Sequence, residues 1–166
     1  MKEKFTWKNV YLLALVPVVS VLLYLGMLMS GLLDEIGALT VGFLVLMSIV
    51  WGACGFVFSR SRVTLFQSVW IGNLLPILTT AAYFILYIVY KFSESEALYD
   101  ITSIIGALGT GVFGVVGAVF YALTPFSLEL LQVFISFIFQ ILVFIVGYSI
   151  GASVGKKKKS VAQKKK

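Results

Sequence analysis

The sequence contains no histidine and a single cysteine, Cys54. Without histidine the chain cannot assemble a Ser-His or Cys-His catalytic pair, a zinc site with imidazole ligands or a histidine-held haem. One thiol excludes an intramolecular disulfide and an iron–sulfur cluster ligated within one chain. Charge is scarce as well: 12% of the residues are Asp, Glu, Lys or Arg, against about 25% in an ordinary soluble domain. Walker-type and dinucleotide fingerprints are missing, because the glycines between 106 and 117 are followed by no Lys-Ser/Thr pair and preceded by no strand pattern. Paired acids inside an apolar run, which intramembrane aspartyl chemistry needs, are missing too. An enzyme is therefore not expected, and neither a cofactor nor a metal is called for. A less favoured expectation is chemistry on lipid at the outer surface through Asp34, Glu35 or Glu129.

What is present in abundance is apolar. Hydrophobic residues make up 60% of the chain, and mean hydropathy is +1.04. The ionisable residues fall in short clusters that leave five uncharged runs: Asn9–Leu33, Ile36–Ser59, Val63–Tyr90, Ile101–Leu128 and Leu130–Gly155. A hydrocarbon core about 30 Å thick takes roughly 20 helical residues to cross, so each run is long enough for one span. Unpaired peptide groups cost several kcal/mol each in lipid, so none of the runs is an irregular loop. They are too long and too weakly alternating for transmembrane strands. The first run follows Lys2, Lys4 and Lys8 but is too long for a signal core, and no A-x-A-like cleavage site follows it. The fold expected is all-α: one polytopic, membrane-embedded helical domain over residues 1–155, then a basic, disordered tail over 156–166.

Threading follows from the lysines and arginines. If the N-terminal segment, the connector with Arg60 and Arg62, and the tail all face the cytoplasm, 12 of the 13 basic residues are inside and only Lys91 is outside. Both ends inside requires an even number of crossings, so one run must fail to cross. Ile101–Leu128 is the candidate, because Gly106, Gly109, Gly111, Gly114 and Gly117 weaken a continuous helix and permit a tight reversal. Four transmembrane helices plus a Gly-rich re-entrant hairpin is thus the expected arrangement, with five transmembrane helices as the alternative. Compact connectors and the lysine tail point to a bacterial cytoplasmic membrane with the C-terminus in the cytoplasm.

Apolar burial does not drive helix association in lipid; small residues that let backbones approach do. Ser48, Gly52, Gly55 and Ser59 share one helix face, and Gly147, Gly151 and Gly155 form a second small-residue stripe at similar depth. They suit an intramolecular contact or an interface with a partner subunit or a second copy. Polar residues at mid-membrane are Asn73, Pro76 and Gln140, which could form a small pocket with the Gly72 carbonyl freed by Pro76. Tyr83, Tyr87 and Tyr90 make an aromatic stripe in which Tyr83 and Tyr87 could line a ligand site. Lys156, Lys157, Lys158, Lys159, Lys164, Lys165 and Lys166 suit anionic lipid headgroups, at about 1 kcal/mol per lysine. No pattern of sequence-specific nucleic-acid readout accompanies them.

Two functions follow as expectations. The first is a non-catalytic accessory subunit packed against a partner through small-residue faces. The second is a small-solute carrier, or the substrate-binding membrane component of a transporter. The threading has a direct test. Reporter fusions at Lys166 and in the 91–100 connector are expected to report opposite sides of the membrane, whereas five spans place them on the same side.

Overall fold

The computed structural model describes residues 18–19, 22–23, 25–26, 29–30, 37–60, 63–123 and 129–164. Among them the chain forms helices and no strand: α1 (Ala38–Phe58), α2 (Leu65–Gly72), α3 (Leu74–Ser93), α4 (Glu96–Thr110), a 3-10 turn (Gly111–Phe113), α5 (Gly114–Leu123) and α6 (Glu129–Lys164). Three stretches, Ala38–Phe58, Leu74–Ser93 and Leu130–Gly155, are long and apolar enough to cross a membrane. Lys2, Lys4, Lys8, Asp34, Glu35, Arg62, Lys165 and Lys166 lie outside the described residues.

Local chemistry sets the breaks between helices. Thr64 opens α2 with a reciprocal cap: its hydroxyl accepts from the Gln67 N–H at 3.3 Å, and the Gln67 carbonyl oxygen accepts from the Thr64 N–H at 3.1 Å. Pro76 has no N–H to offer the Gly72 carbonyl. The chain leaves helical geometry at Asn73 (φ −111°, ψ 19°), and Ile77 restarts it by donating to the Asn73 carbonyl at 2.8 Å. The run Val63–Tyr90 therefore folds as two helices in series. Glu94 ends α3 in the left-handed region (φ 49°) and donates its N–H back to the Tyr90 carbonyl. Gly111 ends α4 at φ 51°, ψ −136°, a conformation that a side chain makes costly.

Contacts give the helix directions. Tyr99 lies against Tyr90 at 5.3 Å between ring centroids. Farther along, Gly106 sits under the Tyr83 ring and Gly109 beside Thr80, so α4 runs antiparallel to α3. Phe84 meets Phe134 at 6.2 Å, and Gly72 meets the Phe144 ring, so α6 is also antiparallel to α3. Phe113 pairs with Phe139 at 6.1 Å, whereas Gly117 lies against Gln132 and Ser136. The chain thus turns at Gly111–Phe113, and α5 runs back antiparallel to α6.

The largest helix pair is α1 with α6, in parallel. Their small-residue stripes meet within one chain. A Cβ added to Gly147 would run into the Gly52 carbonyl, one on Gly55 into the Phe144 carbonyl, and one on Gly151 into the Ser59 hydroxyl. Gly155 meets nothing. This approach lets Phe144 enter a core with Met47, Trp51, Phe58 and Phe113, stacking edge-on to Phe58 at 5.6 Å. The polarity of the bundle is inverted. Thr40, Ser68, Asn73, Thr80, Thr102, Thr110, Ser136 and Gln140 are buried, while Ile49, Ile85 and Val146 are more than half exposed. Three of the helices are apolar enough to cross a membrane, and hydrocarbon around them would account for that inversion.

Where the lysine run alone suggests a disordered tail, the α6 backbone stays helical to Lys164. Lysine is a good helix former, and a helix once nucleated extends at little cost.

Gly147→Val is expected to force α1 and α6 apart and to remove about 1–3 kcal/mol of stability. Gly155→Ala, in open space, is expected to change little. Thermal unfolding of the detergent-solubilised protein checks both.

Candidate functional site

The two arms of the 96–123 segment lean on different helices, α4 on α3 and α5 on α6. Between them lies a cleft of about 380 Å³. Tyr83 of α3 forms one wall; Tyr99, Ser103, Gly106, Ala107 and Thr110 of α4 form another. Gly114 of α5 and Gln132, Val133 and Ser136 of α6 complete it. The lining is polar without carrying any charge. Helical spacing produces this: Tyr99, Ser103, Gly106 and Thr110 recur at intervals of three or four, as do Gln132 and Ser136.

Several lining hydroxyls are occupied by backbone. Thr110 Oγ1 donates to the Gly106 carbonyl at 3.1 Å. Ser136 Oγ donates to the Gln132 carbonyl at 2.8 Å and accepts the Gly117 N–H at 3.1 Å, which ties α5 to α6. One turn deeper than Ser136 on the same face is Gln140, 4% exposed; one turn deeper than Tyr83 is Thr80, 3% exposed. Gln140 Oε1 and Thr80 Oγ1 have no hydrogen-bond partner among the described residues. Neither residue is among those lining the cleft.

The mouth is aromatic and acidic. Tyr83, Tyr87, Tyr90 and Tyr99 follow one another with ring centroids 5.3–6.3 Å apart. The Lys91 ammonium lies 5.2 Å from the centroids of both Tyr87 and Tyr90. Glu94, Glu96 and Asp100 are exposed around the same end.

The residues singled out in the sequence part company. Tyr83 lines the cleft and Tyr87 stacks on it at 5.8 Å. Gly106 and Gly114 line the cleft, Gly109 packs on Thr80, Gly111 makes the turn and Gly117 packs on α6. Gln140 is buried on α6 one turn beyond Ser136 and does not line the cleft. Asn73 and Pro76 are buried elsewhere. Asn73 Oδ1 accepts from Trp51 Nε1 at 3.2 Å and its Nδ2 donates to the Val69 carbonyl at 3.0 Å, so both ends of the amide are engaged in holding the helix break. Ser48, Gly52 and Gly147 border a separate apolar groove of about 580 Å³ on the outer side of the α1–α6 seam. The side chains of Lys156, Lys157, Lys158, Lys159, Lys164 and Glu129 lie outside the described side chains.

Tyr99, Ser103, Thr110, Gln132 and Ser136 were not anticipated. The readable signal was Gln132–Ser136–Gln140, a polar line at four-residue intervals on an otherwise apolar helix. Comparisons with protein-family models, with curated proteins and with solved structures found no match.

The Trp51–Asn73 bond is testable by a double-mutant cycle. Asn73→Leu and Trp51→Phe are each expected to destabilise the protein. The double variant is expected to reveal a coupling of about 1 kcal/mol, above the average for hydrogen bonds in membranes because both partners are fully buried. Chemical unfolding in mixed micelles measures it.

Proposed function

We propose that the protein is a multi-pass membrane protein that binds a small polar solute in the cleft between α4 and α6, as a carrier or as the solute-binding component of a transporter. The observation that carries this reading is an uncharged polar cleft, lined by Thr110 and Gly114 on either side of the Gly111–Phe113 turn, inside a bundle whose outer surface is apolar. Sites of this kind combine convergent polar groups with a concave, largely preformed wall. Irregular backbone at membrane depth is tolerated where it is buried in protein, as Gly111 and Phe113 are.

The same reading includes the threading. At 1.5 Å per residue, α4 with 15 residues is about 22 Å long and α5 with 10 residues about 15 Å, both short of a core about 30 Å thick. With opposed directions they suit a re-entrant hairpin beside four spans. Five spans need residues 96–123 to keep one direction, which the pairing of α5 with α6 opposes. A bacterial cytoplasmic membrane with the C-terminus inside remains the placement that the basic residues favour.

The accessory-subunit reading keeps one supporting observation. The inner small-residue contacts are already used within the chain, but the groove beside Ser48, Ile49, Phe56 and Val146 is open and apolar. It offers shape to a partner helix and nothing that selects one.

Cysteine placement tests the proposal. In a Cys54→Ala background, Ser103→Cys is expected to react with a membrane-impermeant thiol reagent added on the Lys91 side, and Leu142→Cys to stay unreactive. Ser103→Trp is expected to fill the cleft and lose small molecules that mass spectrometry finds retained by the unaltered protein. An unreactive Ser103→Cys in a folded variant would remove the aqueous cleft and this function with it.

A further inference from the structure

The apolar groove of about 580 Å³ beside the α1–α6 seam has one charged end. Gly52, Ala53 and Phe56 line it from α1, and Leu142, Gly147 and Ile150 from α6. Its α6 wall, from Phe139 to Ile150, is about 16 Å long at 1.5 Å per residue. Gly147 is buried in it, whereas Leu142 and Ile150 stand more than half exposed along it. A partner helix packs closely only where small residues let its backbone approach, and these exposed side chains hold one off. A hydrocarbon chain one methylene wide lies down between them. Phe56 is the last α1 residue of the wall, and the Arg60 guanidinium lies 4.6 Å from the centroid of its ring. Arg60 is exposed, so its fork of N–H donors is open to an oxyanion. At this level Gly151 of α6 meets Ser59, and residues 156–159, all lysine, follow on the helical backbone from about 7.5 Å farther on. The acids Glu94, Glu96 and Asp100 stand at the opposite end of the bundle, where α3, antiparallel to α6, passes into α4.

We propose that this groove is a lipid site, seating one acyl chain of an anionic glycerophospholipid whose phosphate is held by Arg60. The planar guanidinium can take two phosphate oxygens at once. The lysine run alone attracts any negative headgroup without placing it; a cation stacked on the groove's own wall ties that attraction to one seat. Basic pockets beside transmembrane helices on the cytoplasmic side are where such headgroups dock. The site is separate from the polar cleft and does not depend on what the cleft binds.

The test uses the full chain in nanodiscs of equal parts phosphatidylglycerol and phosphatidylcholine with identical acyl chains, and native mass spectrometry of the lipid that stays bound on ejection. Phosphatidylglycerol is expected to be retained at least about fivefold more often than phosphatidylcholine. Arg60→Gln, at an exposed position, is expected to lower that preference about fivefold. Ala53→Trp, exposed and in the groove, is expected to lose retained lipid of either kind. Leu142→Trp gives the same reading from α6 if Ala53→Trp does not fold. Glycerol phosphate, a headgroup without chains, is expected not to displace the lipid. Equal retention of the two lipids, a preference unchanged in Arg60→Gln, lipid kept by a folded groove variant, or displacement by glycerol phosphate overturns the proposal. A dimer that the groove variants dissolve overturns it as well, because a second copy is then the occupant.

Discussion

Backbone meets backbone where Gly52 and Gly55 of α1 face Gly147 and the Phe144–Tyr148 turn of α6. In hydrocarbon an apolar side chain gains little by exchanging lipid for protein, so helices associate where their main chains come near enough for dense dispersion contacts. Much else in the bundle depends on that approach. It carries the Phe144 ring between Trp51 and Phe58 and onto the bare face of Gly72. Phe144 in turn sits against the end of α2 at the residue before the Asn73 break. Tyr148, one turn farther along α6, donates its hydroxyl to the Val63 carbonyl and anchors the connector that precedes α2.

Around this seam the interior is organised by polar groups that answer one another. Asn73 shows the principle most fully: Pro76 interrupts the helix, and the Asn73 amide bridges the interruption by bonding back to Val69 and across to Trp51. Serines and threonines elsewhere bond to the carbonyl four residues earlier, as Ser48, Ser68, Thr102, Thr110 and Ser136 do. A hydroxyl satisfied in this way can face the interior without a partner on another helix. Gln140 and Thr80 depart from that rule. Both are buried, at 4% and 3% exposure.

The cleft exists because the chain between 96 and 123 turns back. A continuous helix there would present one face to α3 and leave no concavity. With the turn at Gly111, α4 leans on α3 through Gly106 and Gly109, and α5 leans on α6 through Gly117. The arms diverge from a buried apex in which Phe113 is 1% exposed. The glycines act less as flexible points than as flat surfaces: a Cβ at 106 would come 2.9 Å from the Tyr83 ring, and one at 109 would come 2.9 Å from the Thr80 hydroxyl.

The sequence by itself determined which stretches are apolar enough to meet hydrocarbon, because that depends on composition over twenty residues and not on neighbours. It also determined what chemistry is out of reach, and it placed a small-residue stripe on each of two helices, since period and spacing are properties of one helix. The tertiary structure decided which stripe met which, and that both belong to one chain. It decided that Asn73 holds a helix break together while Gln140 Oε1 is buried with no partner among the described residues, two situations that look alike in a sequence because an amide side chain takes its meaning from partners far along the chain. It also brought Ser103, Gln132 and Ser136 to one cleft. That convergence required the reversal at Gly111, where a buried glycine at positive φ let the chain turn inside the bundle.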